Sequence, residues 1–367
     1  MTTHQLRLDA PIFIGGAGSS GNTLLARMFN RHPEVFCGPE MSLFNKRRIF
    51  GDFHTVQRKL PQWLWRGLPT DGYSQYTRFI PRYENGLLTR EILARYASES
   101  QTLREFVDRI QVRCLTESGK RILAEKTPSD VYCFRELATL YPNCLLIHAV
   151  RDGRDVICSQ MKRGFNLFEA ASIWLYNVAC GIGCRDLPNY IEVRYEELVK
   201  EPVAILQHVC NRASIGYDPC MLQPAEGEPV SQFAAKGAWK NSTSGPISQS
   251  SIGRYKTDLS DADYAAFASV QLTKIGAQRT GTPQYTALEL LQHLNYEADA
   301  PAPSAPTRRV KLLAATDNVR QNLHLLRKAY PPRRPLTQIS ALPARSMSAA
   351  LKPATPTLQC ELLARSA

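Results

Sequence analysis

The strongest constraint on this chain is a join close to its start. The apolar run Pro11-Ile12-Phe13-Ile14 passes directly into Gly15-Gly16-Ala17-Gly18-Ser19-Ser20-Gly21-Asn22-Thr23, and a helical pattern follows that ends near Arg31-His32-Pro33. A strand that enters a glycine-rich turn and leaves as a helix aims several backbone N–H groups at one point. The helix N-terminus adds partial positive charge there, so the join is an anion site. Read from Gly16, the stretch fits G-x-x-x-x-G-K-[ST] at every place but one: Asn22 stands where nucleoside-triphosphate loops carry lysine. In such loops the lysine reaches the β- and γ-phosphates and the following Thr holds Mg²⁺.

The rest of the pattern says what scaffold carries the loop. Strands are expected at 11–15, 34–38, 121–125, 144–150 and 190–195. Helices are expected at 21–31, about 87–116, 134–141, 154–163, 168–185, 203–213, 261–277 and 284–296. The run Cys144-Leu145-Leu146-Ile147-His148-Ala149-Val150 is continuously apolar apart from its histidine, as a central parallel strand should be. Strands alternating with helices imply an α/β fold, a three-layer α/β/α sandwich around a central parallel sheet.

Charge separates two regions. The chain carries +12, but residues 300–367 hold eleven Lys/Arg against Asp317 and Glu361, a balance of +9 that leaves about +3 on the first 299 residues. The basic character belongs to the tail, so nucleic acid is not the expected partner. We expect one catalytic domain over 1–297, with an inserted aromatic and helical segment at about 45–118, and a basic Pro/Ala-rich tail over 298–367 that is largely disordered. Within the tail, 308–329 has a helical apolar period through Leu312, Ala315, Val319, Leu323 and Leu326. No apolar run is long enough for a membrane span, and the polar start does not read as a signal peptide. The ten cysteines lack the spacing of a zinc site and read as free thiols of a reducing cytosol, so the expected localisation is cytoplasmic.

A second constellation narrows the anion. Arg151 follows the 144–150 strand and Ser159 lies eight residues on, in the next helix. In open α/β sheets the ligand crevice lies outside the carboxyl ends of the strands. A cation and a hydroxyl there suit a second phosphate, separate from the one at the loop. The plain alternatives are a local Arg151–Asp152 ion pair and a solvent-facing serine. With no lysine at Asn22 and no apolar strand ending in an Mg²⁺-binding Asp, a Mg-ATP kinase of small molecules is a rival reading rather than the main one.

On these residues the chain resembles the sulfotransferases that use 3′-phosphoadenosine 5′-phosphosulfate (PAPS). Their loop reads x-x-R/K-S-G-T-T-x-L and binds the 5′-phosphosulfate; here the matching residues are Gly18, Ser19, Ser20, Gly21, Asn22, Thr23, Leu24 and Leu25. Their 3′-phosphate is held by an arginine and a serine spaced like Arg151 and Ser159. The stretch 194–202 and the stretch Ser251-Ile252-Gly253-Arg254-Tyr255 resemble later family segments, and in relatives the latter closes over the 3′-phosphate and adenine. The likeness covers about 11–45, 122–165, 190–213 and 248–270, and is nearest to the tyrosylprotein and related bacterial branch. It implies a P-loop NTPase-like fold, PAPS as co-substrate, no metal, and transfer of a sulfuryl group to a hydroxyl of tyrosine, carbohydrate, lipid or a small molecule. Oligomeric state is left open.

The resemblance also assigns roles. Glu40, in the stretch after Cys37-Gly38, matches that branch's general base, and Lys126 matches its lysine on the leaving phosphate or sulfuryl oxygens. Such a base works near neutral pH when burial raises its pKa. Ser19 departs from the family's Lys or Arg, which points to a weakened site or to a binding protein without turnover. Arg27 and Lys162 are candidate replacements for that cation, and Ser19→Arg is expected to raise turnover unless another cation already fills the place. His148, inside an apolar strand, reads as a hydrogen-bonded core histidine, and His32 as a helix cap. Trp63, Trp65, Tyr73, Tyr76, Phe79 and Tyr83 form a candidate acceptor platform.

Overall fold

Strand β1 (Ile12–Gly16) is buried along its whole length, and its side chains divide between two faces. Ile12 and Ile14 join one core with Leu25, Met28 and Phe29, while Phe13 faces another with Phe106, Leu123 and Phe134. This is the two-residue alternation of a strand covered on both sides. A computed structural model of the chain describes residues 6–38, 40, 41, 44, 53, 57, 58, 87–223, 247–298, 312 and 316. The chain divides into two units, 1–333 and 334–367, and all described residues lie in the first.

In chain order, β1 is followed by helix α1 (Asn22–Arg31) and strand β2 (Val35–Cys37). Helices α2 (Arg90–Glu99) and α3 (Leu103–Ser118) lead to strand β3 (Ile122–Lys126). A 3-10 turn at Pro128–Cys133, helix α4 (Phe134–Leu140), strand β4 (Leu145–Val150) and helix α5 (Gly153–Met161) come next. Helix α6 (Leu167–Ile182), strand β5 (Tyr190–Arg194), helix α7 (Tyr195–Lys200) and helix α8 (Pro202–Arg212) complete the sheet region. Four short helices follow: α9 (Tyr255–Asp258), α10 (Asp261–Ala268), α11 (Lys274–Thr280) and α12 (Ala287–His293).

All strand pairs are parallel, in the order β2-β3-β1-β4-β5. Ile14 pairs with Lys126 and Gly16 with Ala149. The carboxyl ends of β3, β1 and β4 therefore stand side by side. The expected three-layer α/β/α architecture is the observed one. A third apolar cluster, around Trp174 of α6, packs α5, α6, α10 and α12 together behind the end of β4.

The sequence reading of helices needs three corrections. The helix expected over 87–116 is two helices, parted at Ser100–Thr102 where Thr102 starts α3 by accepting from Glu105 N–H. The helix expected over 261–277 is parted by residues 269–273, where Gln271 bridges Thr286. The helix expected over 284–296 is shorter, because Thr286 and Glu289 form a reciprocal cap at its start. The aromatic platform at residues 63–83 lies outside the described residues. Of the helix expected at 308–329 only Leu312 and Thr316 are described, both helical.

Candidate active site

The loop owes its shape to backbone geometry. Gly16 adopts φ 144°, and a β-carbon on it would stand 2.3 Å from the carbonyl oxygen of Ala149. Gly21, the residue before α1, has φ 90° and lies against the ring of Tyr195. Helices α2, α3, α5, α6, α10, α11 and α12 each have a side chain that accepts from the first turn, whereas α1, like α4, α7, α8 and α9, has none. A glycine cap leaves the first N–H groups of α1 to an outside anion. Ser20 is buried with its hydroxyl unpartnered. Asn22 does not stand in for the missing lysine. Its side-chain amide is buried and donates to the carbonyl of Ala17 at 2.9 Å, bracing the loop from within.

Arg151 and Ser159 come to this loop from the next strand and helix. The Arg151 guanidinium donates to Ser19 O at 3.0 Å, lies 4.4 Å over the Tyr195 ring, and stands 3.7 Å from the Asp155 carboxylate. Its Nε is buried without a partner. Its backbone is held by Trp174 Nε1, which donates to the Arg151 carbonyl at 3.1 Å. Burial pulls the Arg151 pKa down, with Asp155 opposing. The Ser159 hydroxyl meets the Ser19 hydroxyl at 3.2 Å. The ion pairing differs from the simple sequence alternative: Asp152 caps α5 and pairs with Arg154 at 2.7 Å, and Arg151 pairs with Asp155. Arg151 and Ser159 thus share one wall of the loop, both meeting Ser19.

Glu40 and Lys126 meet directly. Lys126 Nζ donates to Glu40 Oε1 at 2.6 Å, with the lysine almost wholly buried and the carboxylate more open. Lys126 ends β3, one strand from the loop, and Glu40 follows the end of β2. Next to Lys126, the buried Glu125 accepts from Met41 N–H at 2.9 Å and from the Thr127 hydroxyl at 2.6 Å, so β3 grips both the side chain of Glu40 and the backbone after it. Cys37 is buried nearby, and burial pushes its thiol up to about 12, which keeps it protonated.

The segment Ser251–Tyr255 lies against Arg151, tied by the Ser251 carbonyl and by a 2.7 Å bond between the hydroxyls of Tyr195 and Ser251. The N–H groups of Gly253 and Tyr255 face Asp155, the Arg254 side chain reaches back to Ser251 O at 3.4 Å, and Ile252 is half-buried. Lys162 is not a replacement for the loop cation: it is exposed and pairs with Asp258 at 2.7 Å. Arg27 is half-buried in α1. A second cation that reaches Ser19, beside Arg151, was missed in the sequence. Arg163 Nη1 stands 3.3 Å from the Ser19 hydroxyl. Arg163 lies in the turn after α5, beyond Met161, so helix spacing from Ser159 does not mark it. Tyr195, which lies against Gly21, and Asp155, which holds Arg151 and the 251–255 segment, were also missed. Among the described residues no group of His, Cys, Asp or Glu is arranged to hold a metal ion, and no helix is long and apolar enough to cross a membrane.

Known proteins resemble this chain in sequence and in fold. A protein-tyrosine sulfotransferase of Caenorhabditis briggsae is 27% identical over 229 residues, covering 59% of this chain and 69% of that protein. Protein-tyrosine sulfotransferase 2 of Gallus gallus is 27% identical over 230 residues, covering 59% of this chain and 54% of its own length. Among solved structures, the sulfotransferase domain from the Synechococcus PCC 7002 olefin synthase superposes with a TM-score of 0.56 at 19% identity, over 81% of this chain and 98% of that one. That likeness is one of fold. The sequence model of the sulfotransferase family matches residues 11–219, a span that takes in the loop, Glu40, Lys126, Arg151, Ser159 and Tyr195; this chain belongs to that family.

Proposed function

We propose that the protein transfers a sulfuryl group from PAPS to a hydroxyl, and that the phenol of tyrosine is the acceptor to test first. The carrying observation is the pair of buried, unpartnered donors, Ser20 Oγ and Arg151 Nε, at the adjoining ends of β1 and β4. Burying such donors without a partner is costly, and an adenosine 3′,5′-bisphosphate moiety offers acceptors to both. The relatives' names support the tyrosine acceptor, and the partly open Glu40 carboxylate supports a base that faces one.

In this reading the α1 N–H groups and Ser20 bind the 5′-phosphate side, and Arg151 with Ser159 binds the 3′-phosphate. The acceptor oxygen bonds to sulfur as the bond between sulfur and the 5′-phosphate oxygen breaks. Glu40 takes the acceptor's proton, and Lys126 steadies charge on the leaving phosphate. Catalysis rests on alignment and charge stabilisation. A reducing cytosol is the setting we propose, on nine described cysteines that are all free thiols.

Calorimetry with 3′,5′-bisphosphoadenosine, 5′-AMP and Mg-ATP tests the donor. The bisphosphate is expected to bind tightest, and Arg151→Ala to weaken it by about 10- to 100-fold while barely changing 5′-AMP. Preference for Mg-ATP, or equal losses for both adenosine ligands in the variant, would overturn the assignment.

A further inference from the structure

Helix α5 presents Arg151, just before it, and Asp155, in its first turn, to one short segment, and the two together grip every second residue of it. The Arg151 guanidinium donates to Ser251 O at 2.5 Å. Asp155 Oδ2 accepts from Gly253 N–H at 2.8 Å, and Oδ1 accepts from Tyr255 N–H at 3.1 Å. Gly253 has φ 70° and Arg254 is in the right-handed helical region, a pairing that turns neighbouring N–H groups into one concave, anion-binding nest. The anion in the nest is the protein's own carboxylate. Nothing lies within 4 Å of where a Gly253 β-carbon would be, so the glycine answers to backbone angle and not to crowding. Arg154 adds a further tie by stacking its guanidinium 3.9 Å over the Tyr255 ring while pairing with Asp152.

We propose that Asp155 is a positioning residue that holds residues 251–255 against Arg151 before any nucleotide arrives. It acts twice, by anchoring the segment through its two amides and by orienting the arginine through the 3.7 Å pair. Both of its oxygens are taken by the Gly253 and Tyr255 amides, and its charge has the sign of the nucleotide's, so it acts through the segment and the arginine. The expectation for ligand binding rests on the reading of Arg151 as the 3′-phosphate contact; the tether itself does not. Asparagine at 155 keeps the shape but gives up the charge and one of the two acceptor oxygens.

Hydrogen exchange on the full chain without nucleotide reads the tether directly. In Asp155→Asn the amides of Gly253 and Tyr255 are expected to exchange at least about tenfold faster, while the β4 amides keep their protection. In calorimetry the same variant is expected to lose about tenfold in affinity for 3′,5′-bisphosphoadenosine and less than about twofold for 5′-AMP. Gly253→Ala, which strains the nest from the other side without touching α5, is expected to give the same selective loss and serves if the Asp155 variant does not fold. Unchanged exchange at the two amides, or equal losses for both ligands, would overturn the role of Asp155. A wild-type protein that does not distinguish the two ligands would instead defeat the reading of Arg151, and the tether would still be judged by exchange alone.

Discussion

Ser19 departs from the Lys or Arg of the family loop that this stretch resembles, and its surroundings change what that departure means. Its φ is 72°, a left-handed backbone whose cost of about 1 kcal/mol or more comes from the β-carbon and is already borne by the serine. Its carbonyl already accepts from Arg151 and its hydroxyl is within 3.3 Å of Arg163 Nη1 and 3.2 Å of Ser159. Ser19→Arg would therefore bring a third guanidinium beside two others. It is expected to give no gain in turnover and a weaker grip on 3′,5′-bisphosphoadenosine, whereas Arg163→Ala is expected to cost about tenfold or more in that affinity. Calorimetry on both variants checks this; a gain from Ser19→Arg would mean that Arg163 does not cover the position. Sequence alone could point to the odd serine, because loop residues are contiguous. It could not show the replacement, because Arg163 reaches Ser19 only through the pairing of β1 with β4.

At the scale of elements, the apolar runs were legible and the helix breaks were not. Cys144–Val150 reads as a buried strand, and β4 lies between β1 and β5. The breaks came from caps that hydrophobic periodicity does not register. Thr102 with Glu105 has the spacing of a reciprocal cap, and Thr273 starts α11 by accepting from Gly276 N–H, so the signal was present as local chemistry. The β1-to-α1 join makes its own prediction, since two of its glycines are there for different reasons. A β-carbon at Gly16 would meet the Ala149 carbonyl of the neighbouring strand at 2.3 Å with φ at 144°, and backbone cannot move aside cheaply. At Gly18 the nearest atom would be 3.9 Å away, with no left-handed φ. Gly16→Ala is expected to destabilise by roughly 3 kcal/mol or more, and Gly18→Ala by less than about 1 kcal/mol. Thermal melts compare the two. Equal small shifts would show that the join tolerates a side chain at its strand end.

For the molecule as a whole, sheet order was the part least available from sequence, because parallel crossovers allow several orders of the same strands. The order found sets His148 of β4 beside Gly15 of β1 on one side and Glu192 of β5 on the other. The ring is fully buried against Gly181 of α6, and its Nδ1 is 2.7 Å from the Tyr190 hydroxyl, which also donates to Glu192 at 2.9 Å. Burial lowers its pKa to about 4, with Glu192 pulling the other way and Arg185 adding to the fall. A histidine in the unfolded chain titrates near about 6.5, so the folded state binds this proton more weakly. The resulting stability is complete above about pH 6.5 and is lost as pH falls through the folded value, by about 3 kcal/mol in full. Buried carboxyls with raised values, among them Asp108, Asp155 and Glu196, act in the opposite sense, so the total pH profile does not isolate the histidine. The difference between wild type and His148→Gln does. Melting temperatures taken from pH 7.5 to pH 4 are expected to converge for the two proteins as the pH drops, because only the wild type pays for protonating a residue in the middle of the sheet. Parallel curves would mean that the ring keeps a normal proton affinity, and that the sheet centre admits more water than its packing implies.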